Sequence, residues 1–283
     1  MTKLLGAHIP ITGGVFKAPE RGRALTCDCM QIFSKNQMQW KTKPLSDEDA
    51  RRFRDEMKEH DIIEAVIHDS YLINLASPDD VLLKKSRSAF LEEITRAQKL
   101  GVRYLIFHPG AHVGSGERAG IGRIAESLNW ARSEIGSSEV ELLLEITAGQ
   151  GSVLGHSFEQ LAAIIDLLDQ PSSAGICFDT CHAYAAGYDV RTPKGYEKTM
   201  EQLDDALGLS KLKALHLNDS KGNLGSRLDR HEEIGKGRIG VEGFTNVMND
   251  DRLDGLPMVL ETPQGEKRYA KELKTLRALV RKR

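Results

Sequence analysis

The sequence predicts an α/β fold, a single-domain (β/α)8 TIM barrel whose reactive residues lie at the C-terminal mouth of its strands. Three observations predict it. Eight short aliphatic or β-branched runs alternate with helix-like stretches along the 283 residues. No proline- or serine-rich linker divides the chain, so residues 1–283 read as one domain. Six consecutive runs also end in a histidine or a carboxylate. A closed barrel carries such ends to one mouth, whereas the competing fold, an open doubly wound sheet, spreads the outer ones too far apart to share a site.

In chain order the runs are LLGAHI (4–9), MQIFSK (30–35), EAVIHDS (64–70), YLIFHPG (104–110), VELLLEIT (140–147), AGICFDT (174–180), LKALHLND (212–219) and PMVLET (257–262). Most are almost continuously apolar, as expected of parallel strands covered on both faces. Between them lie helix start signals. Ser46 stands three residues before Asp49, Ser77 is followed by Pro78 and Asp80, Ser157 precedes Gln160, and Thr192 precedes Pro193; a hydroxyl there can accept from an otherwise unpaired first-turn amide. Gly101 and Gly208 supply stops, the first after an amphipathic stripe of Leu91, Ile94, Ala97 and Leu100.

Composition agrees with a globular chain. Hydrophobic residues make up 40% and charged residues 28%, and no apolar run approaches the roughly 20 residues needed to cross a bilayer. The N-terminus, MTKLLGAHIP, has no long apolar stretch or small-residue cleavage site, which predicts a cytoplasmic protein with reduced thiols. A formal charge of −2 argues against broad adhesion to nucleic acid but leaves room for a local basic rim.

The strand ends carry the chemistry. From the third run to the eighth they are His68, His108, Glu145, Asp179, His216 and Glu261, joined by His182, three residues beyond Asp179 in the following loop, and by Asp229 and His231 in the loop after the seventh run. A single histidine at a strand end is ordinarily a hydrogen-bonded structural residue. Six donors in register are different, because unpaired buried charges each cost several kcal/mol unless cations neutralise them. Imidazole mixed with carboxylate suits zinc best, then manganese or iron, and nine donors suffice for about three ions with one carboxylate bridging. Three divalent cations against four carboxylates leave a positive cavity, suited to an anionic substrate and pointing to phosphate hydrolysis. His60, His112 and His156 read as structural, and His8, at the end of the first run, as the nearest exception.

The four cysteines, Cys27, Cys29, Cys177 and Cys181, admit a zinc site of C-x-C plus C-x3-C type. Both pairs sit in apolar strand-like text, however, so small buried packing residues are the better reading, with Cys27 and Cys29 on one strand face.

The strings GAH (6–8), HDSYLINLASP (68–78), FHPG (107–110), TAGQG (147–151), DTCHAYAAGYD (179–189), HLNDSK (216–221), GSRLDRHEEIGKGRIG (225–240) and LET (260–262) resemble the endonuclease IV family of zinc-dependent apurinic/apyrimidinic endonucleases. The similarity runs over essentially the whole chain. It implies three Zn2+, with Mn2+ an option at one position: His68, His108 and Glu145 around one ion, Glu145, Asp179, His216 and Glu261 around the second, and His182, Asp229 and His231 around the third. Glu145 would be the catalytic bridge. The implied reaction is base-excision-repair incision of duplex DNA 5′ to an abasic site, leaving a 3′-hydroxyl and a 5′-deoxyribose phosphate, by a monomer with no membrane partner.

For DNA contact the resemblance points to Lys35, Gln37, Met38, Tyr71, Leu72, Arg227 and Arg230. Tyr71 and Leu72 match positions that wedge into the gap left by a flipped sugar. Met38 departs from the arginine common in the family, Ile146 from an asparagine beside Glu145, and Pro10 from a serine. Arg191, Lys194, Lys221, Lys236 and Arg238 add cations to predicted loops on the same face. GKGRIG (235–240) matches a dinucleotide fingerprint but follows a polar loop instead of a strand, so its amides and cations are read as a phosphate contact. Two rivals remain at this level: a divalent-metal sugar isomerase on a related barrel, and a DNA-binding barrel without catalysis.

Overall fold

Eight parallel strands close on themselves in the computed structural model, which describes residues 3–281. The strands are β1 (Leu4–His8), β2 (Cys29–Phe33), β3 (Glu64–His68), β4 (Tyr104–Phe107), β5 (Glu141–Glu145), β6 (Ala174–Asp179), β7 (Leu212–His216) and, after a two-stranded hairpin of β8 (Asp219–Ser220) and β9 (His231–Glu232), β10 (Pro257–Leu260). Their order around the barrel is β1-β10-β7-β6-β5-β4-β3-β2, with β1 paired to both β10 and β2. The helices α1 (Ala18–Ala24), α2 (Asp47–Glu59), α3 (Asp80–Leu100), α4 (Glu117–Ile135), α5 (Phe158–Asp166), α6 (Thr180–Ala186), α7 (Pro193–Leu207), α8 (Gly240–Met248) and α9 (Glu266–Leu279) connect them. The predicted (β/α)8 TIM barrel is the observed fold, and each of the eight predicted runs overlaps a barrel strand.

Side chains alternate along each strand. One set, including Ile32, Ile67, Phe107, Leu144 and Phe178, points outward into the layer beneath the helices. Phe107 meets Phe90 of α3 edge-on at 4.9 Å between ring centroids, and burying such a ring contributes roughly 1.5–3 kcal/mol. The other set fills the barrel interior with Cys29, Val66, Tyr104, Ile106, Leu143, Cys177, Ala214 and Val259. Two residues further along each strand lies the mouth. The closure itself depends on Gly6, because a Cβ there would sit 1.8 Å from the Cys29 carbonyl oxygen and force β1 off β2.

Ser46, Ser157 and Thr192 cap their helices as predicted, accepting from the amides of Asp49, Gln160 and Gly195. The cap of α3 is Asp79, whose carboxylate accepts from Leu82 N at 2.8 Å; Ser77, the expected cap, instead accepts from Asp79 N at 3.2 Å. Gly101 ends α3 at φ 71°, a left-handed conformation that glycine adopts without a Cβ clash. Cys27 precedes β2 and packs outside the barrel, whereas Cys29 lines its interior. They do not share a face, as their spacing suggested.

The register between β6 and β7 slips once. Ile176 stands opposite Leu212 but Cys177 stands opposite Ala214, so Lys213 is an extra residue and Asp179 ends opposite His216. Without this bulge Asp179 would face Leu215, whose side chain points out of the barrel.

Candidate metal centre

The alternation that fills the barrel also builds its mouth. Val66, Ile106, Leu143, Cys177, Ala214 and Val259 of the interior layer are each followed two residues later by His68, His108, Glu145, Asp179, His216 and Glu261. The remaining three predicted donors arrive from other elements. Asp179 caps α6, its Oδ1 accepting from His182 N at 2.7 Å, so the D-x-x-H spacing is that of a helix cap and its third residue. His182 therefore stands on a helix, not in the loop expected for it. His231 lies on β9, whose pairing with β8 folds the intervening segment, and Asp229 with it, back over the mouth.

All nine side chains fall into three groups close enough to hold ions, the first two sharing Glu145: His68, His108 and Glu145; Glu145, Asp179, His216 and Glu261; and His182, Asp229 and His231. Glu145 is fully buried, and its two oxygens face different neighbours. Oε2 lies 3.1 Å from His68 Nε2 and 3.5 Å from His108 Nε2, while Oε1 lies 3.1 Å from His216 Nδ1. A fourth group, Asp179, Cys181 and His231, is less suited to a cation. Burial pushes the Cys181 thiol up to about 12, and a ligand sulfur must be a thiolate.

The donors fit cations. Glu145 Oε1 and His216 Nδ1 are buried with no hydrogen-bond partner although 3.1 Å apart; two such atoms are aimed at something between them. The rings of His182 and His231 tell the same story. Their Nδ1 atoms donate to the backbone carbonyls of Ile146 at 3.0 Å and Glu261 at 3.3 Å. Each Nε2 then carries a lone pair, and the two face each other at 3.3 Å, an arrangement only a proton or a cation relieves. His68 is held likewise, Nδ1 to Asp69 O at 2.9 Å.

Electrostatics follow from this crowding. Burial opposes charge on His182, but Asp179, Asp229 and Glu145 outweigh it and raise its pKa well above the ordinary value. Burial likewise opposes charge on His68, and Glu145 overcomes it. Burial would raise Asp229, yet the hydrogen bond from His182 brings it down to about 2. These groups hold positive charge against the carboxylates, as bound cations would.

Sequence reasoning missed the uncharged members. Gln31 of β2, two residues past Cys29, is fully buried and touches both Glu261 and His216. Its signal was the period of two. Asn218 is also buried, donating to Asp179 Oδ2 at 2.7 Å and accepting from Glu261 N at 2.9 Å. His8 reaches Gln31 at 2.9 Å and Glu261 at 3.8 Å, behind the donors. Ile146 lends the centre only its carbonyl, which orients His182 whatever side chain stands at this position.

Around this cage stands a rim. Tyr71 is 60% exposed, packed edge-on against Phe33 at 5.5 Å and against His108 at 6.4 Å. Met38 is 67% exposed, and its loop is tied to that of Tyr71 by Ser70 Oγ donating to Gln37 O at 2.6 Å. Gln37 and Leu72 are half-buried, while Arg227 and Arg230 are exposed. Lys35 is placed otherwise than expected. Its side chain is 2% exposed and its ammonium lies 2.8 Å from Glu92 and 3.6 Å from Glu93 of α3, so it anchors the loop and offers phosphate no charge. The amides of GKGRIG are spoken for as well. Those of Gly235, Gly237, Ile239 and Gly240 donate to the Asp219 carboxylate, which leaves that loop only side chains for an outside anion. Of the added cations, Arg191 pairs with Asp189 and Lys236 with Glu233, and Lys194 opens α7.

Among the described residues no helix is long and apolar enough to cross a membrane. Residues 20–279 match the family described as Xylose isomerase-like TIM barrel. A Chloroflexus aurantiacus protein named "Probable endonuclease 4" is 50% identical over 261 residues, covering 92% of both chains. Its Geobacter sulfurreducens namesake is 46% identical and covers all of this chain and 96% of its own. The crystal structure of endonuclease IV from Thermus thermophilus superposes with a TM-score of 0.87 at 38% identity, covering 97% of this chain and 98% of that one. A D-tagatose 3-epimerase-like protein, at 19% identity and a TM-score of 0.73, shares the fold alone. By full-length identity as well as by fold, this chain belongs to the endonuclease 4 family.

Proposed function

We propose that the protein is a zinc-dependent DNA repair endonuclease that hydrolyses the phosphodiester 5′ to an abasic site, leaving a 3′-hydroxyl and a 5′-deoxyribose phosphate. The observation that carries this reading is the convergence of nine donors on one mouth with Glu145 Oε1 and His216 Nδ1 buried and unbonded between them. His68, His108 and Glu145 would hold one Zn2+, Glu145, Asp179, His216 and Glu261 a second, and His182, Asp229 and His231 a third. When bound, divalent ions lower the pKa of water and neutralise charge on phosphorus and on the leaving oxygen.

The chain's own residues do the rest. Glu145, with one oxygen toward each of two donor groups, keeps those groups at a fixed separation. Asn218 and Asp69 hold Asp179 and His68 from behind, so the donors need not reorganise during reaction. Tyr71 offers an aromatic face at the lip of the cage, where it can replace stacking lost at an abasic gap. Arg227 and Arg230 lie on the segment that also carries Asp229 and His231, so their charge would meet a phosphate beside the reacting centre.

Metal analysis of purified protein, followed by incubation with duplexes containing or lacking one abasic site and separately with aldoses, tests the reading. Cleavage restricted to the abasic duplex and lost on chelation is expected. Metal-bearing protein that isomerises sugars, or that binds DNA without cutting it, would overturn it.

A further inference from the structure

We infer that Gln31 is a positioning residue of the metal centre: its carboxamide sets the ring tautomer of His216 and helps to orient Glu261, two donors of one group. This rests on the proposed function only in requiring that the centre hold divalent ions.

β2 contributes no charged donor to the cage, yet Gln31 on that strand is fully buried at the level of the donors. A buried primary amide costs several kcal/mol unless its hydrogen bonds are met. Here they are. Nε2 donates to Glu261 Oε1 at 2.5 Å and to His8 Nδ1 at 2.9 Å, and Oε1 faces His216 Nε2 at 2.7 Å.

The amide has only one workable orientation. An ionised carboxylate accepts and cannot donate, so the NH2 group must face Glu261 and the oxygen must face His216. That oxygen in turn requires a proton on His216 Nε2. The neutral ring then carries its lone pair on Nδ1, the atom that lies 3.3 Å from Glu261 Oε2 and 3.1 Å from Glu145 Oε1 without a hydrogen-bond partner. Holding Glu261 by Oε1 leaves Oε2 for the same space. One neutral side chain thus aims two donors at a common point and adds no charge to compete with a cation.

His216 differs in this from its neighbours. His68, His182 and His231 are oriented by the backbone carbonyls of Asp69, Ile146 and Glu261, which no substitution removes. His216 is oriented by a side chain, so its tautomer is open to mutation.

The test titrates chelator-stripped protein with Zn2+ against a competing indicator, comparing wild type with Gln31→Met, which keeps the shape and loses the hydrogen bonds. One class of site should weaken by about 10- to 100-fold while the others stay unchanged and the stripped protein stays folded. Unchanged affinities overturn the inference, and so does uniform weakening with a lowered melting temperature, which would mark a packing role. Should the variant fail to fold, histidine-ring 15N NMR of the zinc-loaded wild type decides alone. A proton on His216 Nε2 is expected, and a proton on Nδ1 overturns the assignment. Neither readout uses DNA, so this inference and the proposed reaction can fail separately.

Discussion

Glu145 and Tyr71 share one barrel mouth, yet Glu145 is sealed from solvent and Tyr71 is 60% exposed. The contrast extends to their surroundings. Every donor of the cage comes from a strand end, the first turn of a helix or the β8–β9 hairpin, and His68, His182, His216 and His231 each have one ring nitrogen already engaged behind them. Rim residues stand on loops after β2, β3 and β8, joined by a few contacts such as Ser70 to Gln37. The cage is positioned by backbone periodicity and the rim by local turns, so chemistry and substrate recognition should separate under mutation.

The largest effect expected is at the bridge. Glu145→Gln should lower cleavage by about 10³-fold or more and leave binding to an abasic duplex intact. Single-turnover rates beside a binding assay check this, and near-normal turnover would erase the distinction between cage and rim. Next comes pH. In the metal-free cage the His68 and His182 rings are raised above their ordinary value, so loading must expel protons that would otherwise remain bound. Zinc affinity should therefore fall as pH drops through a range above about 6.5, by about tenfold per pH unit for each displaced proton, and level off at higher pH. A flat profile across neutral pH, measured by chelator competition, would contradict the placement of those rings.

Smaller effects belong to the rim. Tyr71→Ala should weaken binding to damaged duplex by about 5- to 100-fold, the worth of one stacked ring, with metal content unchanged; zinc loss would move Tyr71 into the cage. Smallest of all, Met38→Arg should steepen the dependence of log affinity on log salt by about 0.9 per phosphate newly neutralised. An unaltered slope would mean that this loop tip does not approach the backbone of DNA.

The same contrast explains what could be read from sequence. All eight strands were legible because nearly continuous apolar runs are what a sheet covered on both faces requires, and the donors were legible because their types stand out at the ends of those runs. Gln31 and Asn218 did not stand out. An amide is as common on a surface as in a core, and only the phase of its strand reveals where it points. Lys35 misled for the opposite reason, since a lysine in a loop is ordinarily solvated and nothing nearby in sequence announces Glu92 and Glu93 of a distant helix. GKGRIG was likewise read as open to phosphate because the anion that occupies its amides, Asp219, lies 16 to 21 residues away.

Lys213 has a consequence for how such a barrel can change over time. Strands are usually free to exchange side chains and even to gain or lose a residue at their ends. β7 has that freedom in its middle as well, because Lys213 is the surplus residue: dropping it would restore a regular register with Cys177 opposite Ala214, and His216 would still face Asp179. The strand can therefore shed this one residue without moving its donor, whereas losing any residue between Ala214 and His216 would turn the imidazole toward the helices.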